Sequence, residues 1–188
     1  MSKIEQIKKR YLITGGTGFI GRAITKALVK EGHFVRVLDN NYRGSIESLA
    51  SFKKAFEFVE GDIRNPAVVN RACKNIDCVI HVAAINGTRN FYTLPEAVLD
   101  VAARGMINVI DSCLWHGIGE LFFASSSEVY QNPKKIPTPE NVPMIIPEGS
   151  NPRFSYAGGK IISELLIINY GRKYFRRAII FRPHNVYG

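Results

Sequence analysis

Two groups of residues in this sequence have the types and spacing to do chemistry together. The first is the run Gly15-Gly16-Thr17-Gly18-Phe19-Ile20-Gly21. It contains G-x-G-x-x-G (Gly16, Gly18, Gly21) and G-x-x-G-x-x-G (Gly15, Gly18, Gly21). Glycines so placed permit a tight turn, let backbone approach a pyrophosphate and let a helix pack closely on a strand. The free N–H groups at the start of that helix then face the phosphates. Asp39 follows 39 − 21 = 18 residues after the last glycine, near the ~20 expected of an acid that takes the ribose hydroxyls of a dinucleotide. A carboxylate there repels a 2′-phosphate, so NAD is favoured over NADP. Arg43, four residues on, could instead welcome that phosphate, and a loop acid capping a turn is the plainer alternative for Asp39.

The second group is Tyr156 and Lys160, four residues apart and so one above the other on a helix face. A free phenol has a pKa near 10 and is a poor base at neutral pH. A neighbouring ammonium and a cationic nicotinamide both favour the phenolate. Lys160 is therefore expected to lower the pKa of Tyr156, which could then take a hydroxyl proton as hydride leaves the same carbon. A tyrosine and a lysine at this spacing are also common as an exposed pair. The glycine turn and the serine run Ser125-Ser126-Ser127 are what single this pair out.

The elements that must position these groups alternate along the chain. Tyr11–Thr14 is a short apolar run that stops at glycines and reads as a strand. Phe19–Lys30 has apolar residues at helical spacing, and Gly32 follows it. Strands are expected at 34–38, 56–59, 78–83, 121–124 and 178–181. Helices are expected at 66–74, 95–115 and 154–174, with a weak one around 46–52. Pro66 and Pro95 open two of them. The stretch 131–152 is proline-rich and polar, hence loop. Most of the strands are continuously apolar, as a sheet covered on both faces requires. The fold expected is α/β, a doubly wound, Rossmann-type parallel sheet with helices on both faces, in one domain over residues 1–188.

Composition narrows the classes. Of 188 residues, 46% are hydrophobic and 22% charged, which suits a globular domain and excludes a disordered tail, a collagen or a coiled coil. The apolar runs, such as 161–162 and 165–168, fall far short of the ~20 residues of a membrane span. Met1 to Arg10 is polar and basic, unlike a secretory leader. Cys73, Cys78 and Cys113 form no C-x-x-C and read as partly buried thiols in a reducing compartment, so a cytoplasmic location is expected. His33, His81, His116 and His184 lack metal-ligand spacing, so no metal site is expected. The net charge of +9 comes partly from clusters at Lys3, Lys8, Lys9, Arg10 and at Arg172, Lys173, Arg176, Arg177. Without aromatic-basic interleaving, these read better as solvated residues near helix ends than as a nucleic-acid surface.

Six motifs in order then resemble a known family. They are the glycine turn, Asp62 in Gly61-Asp62-Ile63-Arg64, His81-Val82-Ala83-Ala84, Ser125-Ser126-Ser127-Glu128-Val129-Tyr130, Tyr156-x-x-x-Lys160, and Arg182-Pro183-His184-Asn185-Val186-Tyr187-Gly188. The set resembles the extended short-chain dehydrogenase/reductases, specifically the NAD-dependent nucleotide-sugar epimerase/dehydratase group. The resemblance implies a fold holding NAD and a nucleotide-diphosphate sugar oxidised transiently at C4. By resemblance Gly15, Gly18, Phe19, Ile20, Gly21, Asp39 and Asn40 bind the cofactor, with Asp62 and Ile63 at its adenine. Ala83 and Ala84 would lie along it, and Pro183 near the nicotinamide. Ser126 would be the active-site hydroxyl, Tyr156 and Lys160 the catalytic pair, the latter also holding the nicotinamide ribose. Ser127 and Asn185 join Ser126 on the substrate, Asn185 near its diphosphate. Glu128 stands where relatives keep an acid for dehydration or decarboxylation steps, or it merely orients its loop. The Ser-Glu order there looks less like the dTDP-glucose 4,6-dehydratases than like GDP-mannose dehydratases and UDP-glucuronate decarboxylases.

The chain departs from the family pattern at Ala102-Ala103-Arg104-Gly105, where an Asn is common, and at Gln131, where a glycine usually follows Val-Tyr. The family also carries a C-terminal substrate lobe, and this sequence stops at the motif that introduces it, so a truncated form that is inactive alone is expected. The resemblance further implies a homodimer packed through the helices at 95–115 and 154–174. Two other classes remain open from the sequence: an NAD(P)H-dependent carbonyl reductase using the same Tyr and Lys, and a non-catalytic NAD- or RNA-binding relative.

Overall fold

The structure is a computed structural model and describes residues 7–52 and 54–187. Lys3 of the first basic cluster and Gly188 of the last motif lie outside the described residues. Six strands, β1 (Arg10–Thr14), β2 (Phe34–Asp39), β3 (Glu57–Glu60), β4 (Cys78–His81), β5 (Glu120–Ala124) and β6 (Arg177–Phe181), form one sheet in the order β3-β2-β1-β4-β5-β6. Every neighbouring pair is parallel. The fold is thus the doubly wound parallel sheet expected from the strand pattern. The chain reverses its direction of sheet growth between β1 and β4, and a crevice at the carboxyl ends of the strands is the consequence.

Helices α1 (Phe19–Lys30), α2 (Pro66–Cys73), α3 (Thr88–Thr93), α4 (Pro95–Trp115) and α5 (Ser155–Tyr174) connect the strands, with 3-10 turns at Ile46–Phe52, Ser127–Val129 and Pro152–Phe154. The weak helix around 46–52 is therefore a 3-10 turn, and α3 was not foreseen. On one face of the sheet α2, α4 and α5 bury Val69, Cys73, Met106, Ile110 and Ile167 against Leu12, Val79 and Leu121. On the other face Ile24, Leu28 and Val29 of α1 cover Ile13, Val35 and Val37. Each such fully buried aliphatic contributes about 1.5–3 kcal/mol. Phe122 stays half-buried on the α1 side, and β6 is half-buried from Ala178 on, with Ala178 and Ile180 packed on the face that α5 covers. The three cysteines are free and fully buried, not partly.

Local chemistry fixes the ends of these elements. Asn65 caps α2 by accepting from Ala67 N (3.0 Å) and Val68 N (3.3 Å), with Pro66 at the first helical position. Much of the basic excess serves the fold. Glu120 is buried yet paired with Lys9 (2.8 Å) and Arg176 (2.6 Å), while Arg10 donates to Asn75 O and Arg36 pairs with Glu57. Burial works against the Glu120 charge, but the hydrogen bonds from Lys9 and Arg176 outweigh it and hold the carboxyl below its ordinary range. Arg172 and Lys173 lie in the last turn of α5, where they complement the helix dipole.

α4 and α5 pack against each other at unusually small residues. A Cβ on Gly159 would come within 2.7 Å of the Ala102 methyl, and Ser163 Oγ donates to Ala102 O at 3.2 Å. A Cβ on Gly105 would collide with Ile63. Ala102 and Gly105 thus stand in close helix–helix and helix–loop contact. No described helix is long and apolar enough to cross a membrane.

Candidate functional site

A crevice of about 630 Å³ opens at the carboxyl ends of β1, β2, β4, β5 and β6. All eighteen residues singled out from the sequence for cofactor, catalysis or substrate line it: Gly15, Gly18, Phe19, Ile20, Gly21, Asp39, Asn40, Asp62, Ile63, Ala83, Ala84, Ser126, Ser127, Glu128, Tyr156, Lys160, Pro183 and Asn185. The sheet topology brings them together. Each sits just past a strand end or in the first turns of the helix that follows. Among the described residues no group of three or more His, Cys, Asp or Glu is placed to hold a metal ion.

The glycine turn shows why glycine is needed. Gly15 has φ +72, a left-handed backbone, and a Cβ there would lie 2.7 Å from the Ala83 backbone. A Cβ on Gly21 would collide with the Gly15 carbonyl, so the turn could not close onto α1. Gly18 is the N-cap of α1 with no side chain over the helix end, leaving the first N–H groups open to the crevice. Asp39, mostly buried, accepts from Thr17 N (3.0 Å) and Asn41 N (2.9 Å). It thus ties the glycine turn to the end of β2 while its carboxylate remains in the crevice wall. Asp62 is paired with Arg64 at 2.7 Å, and Asn40 donates to it at 3.3 Å. The Arg64 hydrogen bond holds the Asp62 carboxyl below its usual range.

Arg43 does not pair with Asp39. Its Nη1 donates to Asn86 O, so it reaches across the crevice mouth from the β2 loop to the loop after β4. Its charge acts on Tyr156. Neither Arg43's reach nor Asn86 could be read from spacing, because both lie in loops without periodic pattern.

Tyr156 and Lys160 stand on the crevice side of α5, both buried. Tyr156 stacks on Phe91 of α3 with ring centroids 5.0 Å apart, and Arg153 lies over the other ring at 5.2 Å. Burial pushes the Tyr156 phenol up, while the Ser126 side chain, in hydrogen-bonding reach, and Arg43 pull it down; the net direction is upward. The Lys160 ammonium lies 5.5 Å from the centre of the Tyr156 ring. It also donates to Ala124 O at 2.7 Å and faces the Phe123 ring at 4.7 Å. Burial brings its own pKa down to about 7, against the opposing charge of Glu164. Helical spacing placed the two side chains on one face; it could not show that the ammonium is drawn toward β5.

Ser126 Oγ accepts from Glu128 N at 3.2 Å and so starts the short turn that presents Glu128. Glu128 Oε1 is taken by Arg153 at 3.0 Å, a partner that sequence reasoning missed. Behind this wall His81 hydrogen-bonds Thr14 Oγ1 at 2.7 Å and stacks on Phe123. Burial, with Lys160 nearby, takes its pKa down to about 3, so it is a neutral structural residue.

A profile described as "NAD dependent epimerase/dehydratase family" matches residues 11–188. A putative UDP-glucose 4-epimerase of Methanocaldococcus jannaschii is 34% identical over 179 residues, covering 94% of this chain and 56% of that one. A dTDP-glucose 4,6-dehydratase of Mycobacterium tuberculosis is 32% identical over 185 residues, covering 95% and 54%. The UDP-glucose 4-epimerase of Thermus thermophilus, solved in complex with NAD, superposes with a TM-score of 0.83 at 31% identity, covering 95% of this chain and 56% of that one. The chain therefore spans about half the length of the relatives it matches.

Proposed function

We propose, from the premise that this chain belongs to the NAD-dependent epimerase/dehydratase family, that its crevice holds NAD and presents a nucleotide-diphosphate sugar to Tyr156 for transient oxidation at C4. The observation that carries the reading is the convergence of the glycine turn, Asp39, Ser126, Tyr156 and Lys160 on one crevice. The residues fit the cofactor. Gly15 and Gly21 hold a turn that any Cβ would break, and Gly18 leaves the α1 N-terminus open for a pyrophosphate. Asp39 offers a carboxylate to ribose hydroxyls, with Asn40 beside it. Asp62 and Ile63 line the adenine end, and Ala83 and Ala84 the middle. Pro183 stands near the nicotinamide end.

When bound, NAD supplies the acceptor and later the donor of a hydride. The chain's own residues handle the proton and the alignment. Ser126, already within reach of the phenol, hydrogen-bonds the reacting hydroxyl, and Tyr156 takes its proton. Lys160, buried and held by the Ala124 carbonyl, supports the site from below. Ser127 and Asn185 hold the substrate at the outer wall. Glu128 is oriented by Arg153 for a proton-transfer step after oxidation. Exposed Leu99, Ile107 and Leu114 on α4 with Ile162 and Leu165 on α5 suit a homodimer through these two helices.

The test is the Tyr156→Phe change in a complete homologous enzyme. Losing the proton acceptor should lower turnover of a UDP-, GDP- or dTDP-sugar by about 10²–10⁴-fold while NAD still binds. Undiminished turnover would sink the mechanism.

A further inference from the structure

A second buried ionic cluster lies directly behind the crevice. α5 carries Tyr156, Lys160 and Glu164 at successive four-residue steps, so the three form one stripe. Glu164 is completely buried and Lys160 nearly so. A carboxylate without water needs donors, and Glu164 has three contacts. Ser125 Oγ and Arg182 Nε (2.9 Å) donate to Oε1, and Arg182 Nη2 (2.6 Å) donates to Oε2. The remaining Arg182 nitrogen donates to Tyr130 Oη (2.9 Å) and Glu140 O (3.0 Å).

The geometry converges on the serine loop. Ala124 and Ser125, consecutive at the end of β5, are gripped by Lys160 and Glu164, consecutive turns of α5. Ser125 N donates to Phe181 O (2.8 Å) and Ser127 N to Pro183 O (3.1 Å). Ser126 is thus fixed on both sides, in the crevice wall that Tyr156 also lines. Stability alone is a weak reason for such a cluster, because replacing a buried ion pair by apolar residues is often neutral or stabilising.

The charges around Lys160 suggest the other reason. Facing it or its neighbours are His81 from β4, which is neutral, Tyr156 and Glu164 from its own helix, and Arg182 from β6. Glu128 and Arg43 act on Tyr156 from the rim. Burial disfavours the Lys160 ammonium, and Glu164 favours it.

We infer that Glu164, clamped by Arg182, is a positioning residue that keeps Lys160 charged and holds Ser126 against Tyr156. Its catalytic consequence rests on the function proposed above; its electrostatic part does not. The experiment is an NMR titration of the cofactor-free chain labelled with 13C-lysine, the Lys160 Cε signal being identified by its loss in Lys160→Arg. In Glu164→Gln the Lys160 midpoint should fall by about one pH unit or more. Because that variant strands a buried Arg182, Glu164→Gln/Arg182→Met is measured beside it; removing the guanidinium as well offsets part of the change, so a smaller fall in the same direction is expected there. In a complete homologous enzyme with the same residues the double variant should lose kcat about tenfold or more, with its alkaline limb at lower pH and KM for the sugar nucleotide little changed. A folded Glu164→Gln variant whose Lys160 midpoint matches the wild type overturns the inference. A double variant that cannot fold also overturns it, since the cluster would then be structural. If the catalytic reading alone is wrong, Tyr156→Phe leaves turnover intact while the Lys160 midpoint still moves.

Discussion

Replacing Lys160 by methionine should stabilise the cofactor-free protein near neutral pH, and the gain should fade as pH rises. Lys160 is buried, and its ammonium has the Ala124 carbonyl and the Phe123 ring in place of water. Its pKa falls from 10.5 to about 7 on folding, chiefly through burial. Below about pH 7 both the folded and the unfolded chain hold the proton, and the full cost of the buried charge is present. As pH rises through 7, the folded state releases the proton while the unfolded chain keeps it until about 10.5. Wild-type stability therefore climbs relative to the variant over this window. At 1.36 kcal/mol per pH unit, the interval from 10.5 to about 7 corresponds to roughly 5 kcal/mol. The methionine has a similar stem and no charge, so its stability lacks this pH dependence, and other titrating groups cancel in the comparison. Urea unfolding of both proteins between about pH 6 and 10 gives the difference directly. It should shrink by roughly 3–5 kcal/mol across that range. A difference that stays constant within about 1 kcal/mol would show that Lys160 keeps an ordinary pKa when buried, and the reasoning would fail.

Asp39→Ala removes both the ribose acceptor and the tie to Thr17; NAD affinity should drop about tenfold or more and the preference over NADP should narrow. Calorimetric titration with each cofactor decides it, and NADP binding as tight as NAD in the wild type would show that Arg43 governs the choice. Glu120→Gln should cost stability at neutral pH and little in acid. The Glu120 carboxyl is held below its usual range in the folded state, so its contribution is present above the unfolded pKa and lost as pH falls through the folded one. Thermal melts at pH 7 and pH 3 that show equal losses would contradict the pairing with Lys9 and Arg176. Ile107→Glu, on the exposed apolar side of α4, should yield monomers in sedimentation velocity if α4 and α5 form the dimer contact; an unchanged oligomer would place that contact elsewhere.

The order of elements and the membership of the site were legible because one physical rule writes both into the chain. A parallel sheet covered by helices needs continuous apolar runs, and Leu12-Ile13, Val37-Leu38 and Cys78 to Ile80 show them plainly, buried as expected. The glycine turn and the residues past each strand end then had to meet at the carboxyl edge of the sheet. Even Gln131, marked only as a missing glycine, proves to hold φ +50, the backbone that glycine adopts freely. α3 was not legible: its six residues lack an apolar stripe, and it is secured by Phe91 stacking on Tyr156.

What only the tertiary structure decided is how the charges pair and where each proton sits. Spacing put Tyr156 and Lys160 on one face, but it could not show that the ammonium bonds the Ala124 carbonyl or that burial pushes the phenol up. Glu164 and Arg182, and Glu128 and Arg153, find each other across 18 and 25 residues of chain. Local sequence sets which side chains a helix or strand turns the same way. Desolvation and ion pairing depend on what lies on the other side of the interface, and that is fixed only when the sheet and its helices close around it.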